Sequence, residues 1–347
     1  MADPAPTGVP AASGLPPHLE VIQMASAIWT ARAVYAAARL GLADIFSSGP
    51  LAAEAVAQST GTESRSMYRL LRALASRGLF TEVEPRRFAL TSLGATLKSG
   101  APGGARAMVL TIGGDWQWKA WDHFFEALKT GEPGLRKAFG VGLFEYLAAH
   151  PDDSARYDEA MMGFYSAVGP NVVAAYDFSP FTAVADLGGG TGTLLATILR
   201  AHARMRGSVF ELSYAAPRAR ETIEKLGLAA RCDVVEGDFF KAVPTGYDLY
   251  ILSHVLHDWN DEQALAILRN CRAAIGEGGK LLIVEAVLPP GDTPHPGKLI
   301  DLLMLTVTGG LERTADEYGH LLEAAGFELT RVVPTAIPQS VVEAAPV

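Results

Sequence analysis

The pattern of apolar residues along this chain changes near residue 181, from mainly helical spacing to apolar strands that alternate with helices. Before it the spacing is helical, and it predicts a long amphipathic helix with an apolar face formed by Val21, Met24, Ile28, Ala31 and Tyr35. This apolar face is large for a part of the chain that has few neighbouring segments to cover it. We therefore expect it to pack against a second subunit.

Two shorter helices and a hairpin are predicted next. The stretch "LAAEAVAQSTG" predicts the first helix, and the second stops near Gly78 after a buried stripe of Met67, Leu70, Leu71 and Leu74. The stretch "LFTEVEPRRFALT" then predicts two short strands joined by a turn. Helix, helix and hairpin in this order indicate a winged-helix domain, which we place at residues 19–100.

Two functions are open for such a domain. It could bind DNA, because arginines lie in or beside its second helix, where major-groove contacts are carried: Arg65, Arg69, Arg72 and Arg77. It could instead be a dimerisation scaffold. The chain has 29 Lys and Arg against 38 Asp and Glu, a net charge of -9, which is a poor match for a phosphate backbone. This balance favours the scaffold, and nucleic acid is not expected as a partner.

Residues 101–180 are predicted to be helical and are rich in aromatic side chains. They include "DWQWKAWDHFFEALKTG" and "YDEAMMGFYSAV". Such side chains either form a core or wall a pocket for a flat organic ligand. We interpret the segment as a helical linker that contributes to a substrate pocket.

From Phe181 onward, apolar strands alternate with helices. Strands are predicted in "FTAVADLGGGTG", "GSVFEL", "CDVVEGDFF", "YDLYILSHVL" and "GGKLLIVEAVLP", and one intervening helix starts after Asn260. Apolar strands separated by helices form a parallel sheet that is covered on both faces. The last two strands have no helix between them and are expected to be antiparallel. The fold class is therefore α/β, with a doubly wound sheet over residues 181–347.

Composition limits where the protein resides and which structural cross-links it can have. Hydrophobic residues make up 49% of the chain and charged residues 19%, and no apolar run is long enough to span a membrane. Residues 1–18, "MADPAPTGVPAASGLPPH", lack the basic start and apolar core of a signal peptide. We expect a disordered leader and a cytoplasmic protein. The two cysteines, Cys232 and Cys271, exclude a disulfide framework and a thiolate metal cage, and no metal is expected.

A glycine loop, residues 186–192 ("DLGGGTG"), follows the first strand of the sheet. A dinucleotide fingerprint would need glycine where Thr193 stands, and no G-K-[ST] follows, so both NAD and a P-loop nucleotide are disfavoured. Acids at the ends of the next two strands, Glu211 and Asp238, can accept hydrogen bonds from ribose hydroxyls and an adenine amino group. These features suit a nucleoside without phosphates, and S-adenosylmethionine fits them.

With these motifs, nearly the whole chain resembles a known family. The stretches "VADLGGGTG", "EGDFF", "SHVLHDWNDEQA", "GGKLLIVEAVLP" and "LERTADEYGHLLEAAGF" behind a winged-helix start resemble S-adenosylmethionine-dependent O-methyltransferases of the caffeate and hydroxyneurosporene type. The similarity is greatest to bacterial members that act on polyketides and other aromatic natural products. The resemblance implies a class I methyltransferase sheet, a homodimer held by the N-terminal domain, and methyl transfer to a phenolic hydroxyl.

The resemblance also assigns cofactor and pocket residues. It implies that S-adenosylmethionine is bound by Asp186, Gly188, Gly190, Glu211, Asp238, Phe239 and Ser253. It implies a substrate pocket lined by Trp116, Trp121, Met161, Phe164, Tyr165, His254 and Met304. One departure is Ser213-Tyr214, where the family has Leu-Pro after the ribose-binding acid.

His257 is the candidate general base, because a neutral imidazole can take a proton near neutral pH. The family's "HDW" motif implies the same role, and it implies that Glu285 and Glu312 flank the ring, one of them accepting its N–H. Two alternatives are open. His257 could merely precede the next helix, or the chain could use the same fold and cofactor for decarboxylation, hydroxylation or a pericyclic reaction.

Overall fold

The computed structural model describes residues 14–347. The predicted disordered leader, residues 1–18, lies outside the described residues except for its last five, and Pro17 begins the first helix. The chain forms two compact units. Among the described residues, one comprises residues 14–118 and Phe144–Phe164 and is called the N-terminal unit; the other comprises Lys119–Leu143 and Tyr165–Val347 and is called the C-terminal unit.

The first half of the N-terminal unit combines helices with a small sheet. Its elements are α1 Pro17–Arg39, α2 Leu42–Ile45, β1 Leu51–Ala52, α3 Ala53–Thr60, α4 Ser64–Ala75, β2 Phe80–Glu84, β3 Arg87–Leu90 and α5 Ser92–Ala95. Strand β3 lies between β1 and β2 and is antiparallel to both. The buried stripe of α4 packs with the hairpin through Met67, Leu71, Leu74 and Phe88. The predicted winged-helix arrangement is confirmed.

Further helices lead from this domain to the large sheet. They are α6 Ala105–Ile112, α7 Asp115–Asp122, α8 Phe124–Thr130, α9 Gly134–Phe139, α10 Leu143–Ala149, α11 Pro151–Tyr165 and α12 Val168–Ala175. The helices of this segment are divided between the two units. No helix within residues 14–347 is long and apolar enough to cross a membrane.

The C-terminal unit is built on the alternating strands and helices. They are β4 Ala183–Leu187, α13 Thr193–Ala201, β5 Arg206–Glu211, α14 Ala216–Lys225, β6 Cys232–Glu236, β7 Leu249–Ser253, α15 Asp261–Ala274, β8 Lys280–Leu288, α16 Gly297–Val307, β9 Arg313–Thr314, α17 Ala315–Ala324, β10 Phe327–Pro334 and β11 Gln339–Pro346. The main sheet has the order β10-β11-β8-β7-β4-β5-β6, and β9 pairs with the end of β8.

The sheet is doubly wound, as predicted. Strands β4 to β8 are parallel, whereas β11 is antiparallel to both β8 and β10. Alternate residues of the central strands enter two separate cores: Tyr250 and Leu252 face one, and Ile251 faces the other. The strand order reverses beside β4, whose neighbours are β5 and β7. The carboxyl ends of these strands form the crevice in which such sheets bind ligands.

Candidate active site

The glycine loop after β4 has a left-handed backbone that suits glycine. Gly188, Gly190 and Gly192 have φ angles of 67°, 57° and 77°, a region that other residues enter only at a cost. A Cβ on Gly188 would lie 3.3 Å from the ring of Phe239, whereas one on Gly190 would meet nothing within 4 Å. The loop is therefore closed by packing on one side and leaves open space beside Gly190.

Asp186 is the second-last residue of β4 and is fully buried. Neither of its carboxyl oxygens has a hydrogen-bond partner among residues 14–347. Burial, followed by the charge of Glu211, raises the pKa of Asp186 to about 7. A buried carboxyl group without partners is costly unless something binds it. Asp186 thus fits a ligand that brings a hydrogen-bond donor or a positive charge.

Glu211 ends β5 and binds the loop backbone. Its Oε2 accepts a hydrogen bond from Gly190 N at 2.9 Å, and its Oε1 accepts one from Leu212 N at 2.7 Å. A carboxylate has further lone pairs and can still accept from two hydroxyl groups. Both bonds involve backbone amides, and neither uses the side chain of Ser213 or Tyr214. Tyr214 is itself 50% exposed.

The acid after β6 is held by its own turn. Asp238 Oδ1 accepts a hydrogen bond from Phe240 N at 2.9 Å, and Asp238 also pairs with the exposed Lys241. Asn270 fixes the neighbouring backbone by donating to Phe239 O at 2.8 Å. The ring of Phe239 lies against Gly188, 3.3 Å from the position of an added Cβ, so the turn after β6 lies next to the glycine loop.

His257 lies in a single 3-10 turn, Leu256–Asp258, that follows β7. The side chain is 7% exposed, and its Nδ1 lies 2.8 Å from Glu312 Oε1. A carboxylate can only accept, so Nδ1 carries the hydrogen and the neutral ring keeps a lone pair on Nε2. Asn260 caps α15 by accepting from Gln263 N, so His257 lies before the helix and is not its cap.

Three carboxylates set the electrostatics of this ring. Burial alone lowers the pKa of His257, but Asp258, Glu312 and Glu285 outweigh it and raise that pKa to about 10. The nearest approach of Asp258 is 4.0 Å, from its Oδ1 to Nε2. Burial in turn raises the pKa of Asp258 to about 6. The imidazole is a stronger base than an ordinary histidine, and its proton is shared with a cluster of acids.

Glu285 does not contact the imidazole ring. Its Oε1 accepts from three backbone amides, Val255 N at 3.0 Å, Leu256 N at 2.7 Å and His257 N at 3.2 Å. Its Oε2 accepts from the hydroxyl of Tyr318. The two flanking acids thus have different tasks, because Glu312 orients the ring and Glu285 holds the backbone turn that carries it.

Arg313 is a second clamp on the same turn, and the sequence reasoning missed it. Its guanidinium donates to Leu256 O at 3.1 Å, to Trp259 O at 3.0 Å and to Asp261 Oδ1 at 2.8 Å. The side chain is fully buried. The motif "LERT" shows an arginine beside Glu312, but nothing in one sequence signals that it is buried under carbonyl groups.

Some residues of the predicted substrate pocket meet next to His257. The ring of His254 lies 5.6 Å from that of His257, and the ring of Tyr165 lies 4.0 Å from that of His254. Ser253 Oγ is 3.1 Å from His254 Nδ1.

The other predicted pocket residues are spread over both units. Trp121 and Met304 are in the C-terminal unit, whereas Trp116, Met161 and Phe164 belong to the N-terminal unit. Trp116 is buried beside Tyr146 there, and Phe164 is 45% exposed. No cluster of three or more His, Cys, Asp or Glu side chains in the described part of the chain is arranged to hold a metal ion.

Comparisons with known proteins identify the family of this chain. Residues 22–100 match the family model of an O-methyltransferase dimerisation domain, and residues 121–328 match that of an O-methyltransferase domain. The chain is 44% identical to the phenazine O-methyltransferase PhzM of Lysobacter antibioticus, over 97% of this chain and 98% of the relative. It is 31% identical to a phenazine-1-carboxylate N-methyltransferase of Pseudomonas aeruginosa, over 96% and 98% of the two chains.

Solved structures show the same fold. The crystal structure of LaPhzM has a TM-score of 0.91 at 44% identity, covering 96% of this chain and 100% of that one. The O-methyltransferase NcsB1, solved with S-adenosylmethionine and 2-hydroxy-5-methyl naphthoic acid, has a TM-score of 0.81 at 35% identity, covering 92% and 96%. The resemblance drawn from the motifs is confirmed, and this chain belongs to the S-adenosylmethionine-dependent O-methyltransferase family with an N-terminal dimerisation domain.

Proposed function

We propose that this chain methylates a phenolic hydroxyl group of a small aromatic natural product, with His257 as general base. The observation that carries the proposal is the buried pair of His257 Nδ1 and Glu312 Oε1 at 2.8 Å, beside the glycine loop of the sheet. This pair leaves Nε2 as the atom that takes the proton.

The chain's own residues fit the cofactor. S-adenosylmethionine, when bound, supplies a methyl group activated by the positive charge on sulfur. Glu211 would hold the ribose hydroxyls with the lone pairs that Gly190 and Leu212 do not use. Asp186, whose oxygens have no partner in the described chain, would hold the amino group.

We assign the remaining cofactor contacts to residues of the same crevice. Asp238 and Phe239 would flank the adenine, and Ser253 would make one further contact. Gly188 allows the backbone to approach the ligand closely, because its φ of 67° suits glycine.

The base chemistry depends on the acids around His257. A phenol with a pKa near 10 gives up its proton reluctantly in water, and the acids that raise the pKa of His257 above its ordinary value lower the cost of transferring that proton to the imidazole. Glu312 then stabilises the imidazolium, while Glu285 and Arg313 hold the turn in place. The products leave with the proton still on Nε2 until it passes to water.

A buried base favours a hydroxyl acceptor over a ring nitrogen. A ring nitrogen that is methylated directly uses its own lone pair and has no proton to lose, whereas a phenol does. This reasoning also favours methyl transfer over the alternative reactions of the same fold, because the proton acceptor and its orienting acid are both in place.

The test is methyl transfer to a panel of phenols, with S-adenosylhomocysteine release as the readout. His257→Ala should lower kcat by about 100- to 10,000-fold, while calorimetry shows unchanged binding of S-adenosylhomocysteine. His320→Ala, an exposed histidine on α17, is the matched control. Full turnover by His257→Ala would refute the base assignment, and products methylated on nitrogen would refute hydroxyl specificity.

We further propose a homodimer formed through the N-terminal unit. Apolar side chains of α1 are exposed, among them Val21 at 65%, Met24 at 74% and Trp29 at 74%. Large exposed apolar faces mark protein interfaces, and the matching dimerisation domain includes this helix. Light scattering should give twice the chain mass for the wild type and the chain mass for Met24→Asp with Trp29→Asp. A wild-type monomer would contradict the proposal.

A further inference from the structure

His254 has an unusual backbone conformation next to the base. Its φ angle is 54°, and the only other non-glycine residue of the described chain with positive φ is Arg86. Left-handed backbone is unfavourable for residues with a Cβ, and where it persists it often marks a functional site. Here it is held by a hydrogen bond from His254 N to Val284 O at 3.1 Å, which continues the pairing of β7 with β8.

The side chain of His254 is fixed but incompletely bonded. The ring of Tyr165 packs against that of His254 with centroids 4.0 Å apart and the planes tilted by 32°, and Nδ1 lies 3.1 Å from Ser253 Oγ. Nε2, in contrast, is buried and has no hydrogen-bond partner within residues 14–347. A buried nitrogen without a partner is unfavourable. A bound ligand that supplies the partner would remove this cost.

His254 is a neutral hydrogen-bonding group. Burial, and then the charge of His257, keep the pKa of His254 well below its ordinary value of 6.5. A neutral imidazole carries one hydrogen, so Nε2 is a donor in the tautomer in which the Ser253 hydroxyl donates to Nδ1. The two imidazole rings are 5.6 Å apart at an angle of 65°, so one small aromatic ligand can contact both.

We propose that Nε2 of His254 donates a hydrogen bond to the acceptor molecule, at an atom adjacent to the hydroxyl group that His257 deprotonates. The inference rests on the proposed function and narrows its substrate class. The preferred acceptors are phenols that carry a hydrogen-bond acceptor atom, such as a ring nitrogen or a carbonyl oxygen, next to the hydroxyl group. His254 is then a residue that determines specificity.

A pair of ligands of the same shape tests this directly. In 8-hydroxyquinoline a ring nitrogen lies next to the hydroxyl group, and in 1-naphthol a C–H takes its place. Dissociation constants are measured by calorimetry on the full chain with saturating S-adenosylhomocysteine. We expect the wild type to bind 8-hydroxyquinoline about tenfold more tightly than 1-naphthol, the difference that one hydrogen bond makes.

Two substitutions of His254 distinguish the hydrogen bond from Nε2 from a purely structural role of this residue. In His254→Asn the amide takes the place of Nδ1 and tolerates left-handed backbone, but it cannot reach the place of Nε2, so the tenfold preference should disappear. In His254→Gln the longer side chain reaches that place, and part of the preference should return. The melting temperature of His254→Asn should stay near that of the wild type, and His320→Asn serves as the control.

The results distinguish this inference from the proposed function. Equal binding of the two ligands by the wild type, binding of neither, or a preference that survives in His254→Asn would overturn the role of His254. The proposed function is judged separately by methyl transfer to the phenol panel. A preference for 8-hydroxyquinoline without methyl transfer to any hydroxyl group would support the role of His254 and refute the proposed function.

Discussion

Replacing Glu312 with glutamine removes the charge beside His257 and keeps the size of the side chain. In the wild type Glu312 is 4% exposed and its Oε1 lies 2.8 Å from His257 Nδ1, so solvent does not screen the pair. A hydrogen bond to a charged partner is stronger than a neutral one by about 1 to 2 kcal/mol. Since one pKa unit corresponds to about 1.4 kcal/mol, Glu312→Gln should lower the pKa of His257 by about one unit.

The direction in which Glu312→Gln moves the pH profile depends on which protonation state of His257 accepts the proton. Only the neutral imidazole accepts a proton, so kcat/KM rises as the pH rises through the pKa of His257. That pKa lies above 6.5, at about 10, because Asp258, Glu312 and Glu285 outweigh the effect of burial. Glu312→Gln should therefore move the rising limb of the pH profile toward lower pH by about one unit, with a lower plateau because the base is weaker.

The assay is kcat/KM for methyl transfer across the alkaline range, for the wild type and Glu312→Gln. Glu323→Gln, which removes the same charge from an exposed position on α17, is the control and should leave the profile unchanged. A rising limb that stays in place or moves to higher pH would refute the electrostatic role of Glu312.

The pair of His257 and Glu312 also affects the free energy of unfolding. A raised folded-state pKa stabilises the protein fully below the unfolded value of 6.5, and this contribution is lost as the pH rises through about 10. The difference in free energy of unfolding between the wild type and Glu312→Gln should therefore narrow at high pH.

Three further substitutions test other parts of the site. Tyr318→Phe leaves one buried oxygen of Glu285 without its donor and should lower the free energy of unfolding by about 1 to 3 kcal/mol, measured by urea denaturation. Gly192→Ala should weaken S-adenosylhomocysteine binding more than Gly190→Ala in calorimetry, because only at Gly192 would the new Cβ lie 2.9 Å from a neighbouring side chain; equal effects would contradict this. Arg313→Lys cannot make the same contacts to the turn and should lower kcat more than it changes KM.

Much of the fold could be predicted because local patterns and tertiary structure agree. Apolar strands separated by helices required a sheet covered on both faces, and the missing helix before the last strand required an antiparallel pair, which β10 and β11 form. The boundaries of the N-terminal unit were harder to predict. Helical periodicity shows that residues 101–180 form helices, but the same aromatic residues suit a core or a pocket, and these helices are divided between two units.

The candidate site residues could be named from the sequence, but their contacts could not, because a contact depends on which atom of a neighbour a side chain reaches. Glu285 and Glu312 are both acids of the same motif set, separated from His257 by 28 and 55 residues. The register of β8 with β7 directs Glu285 to the backbone amides of the turn, where it holds the backbone that carries His257. Glu312 reaches the ring nitrogen and so governs the proton. A substitution at Glu285 should therefore affect chiefly the geometry of the turn, and one at Glu312 chiefly the pH dependence, although the sequence presents them as equivalent.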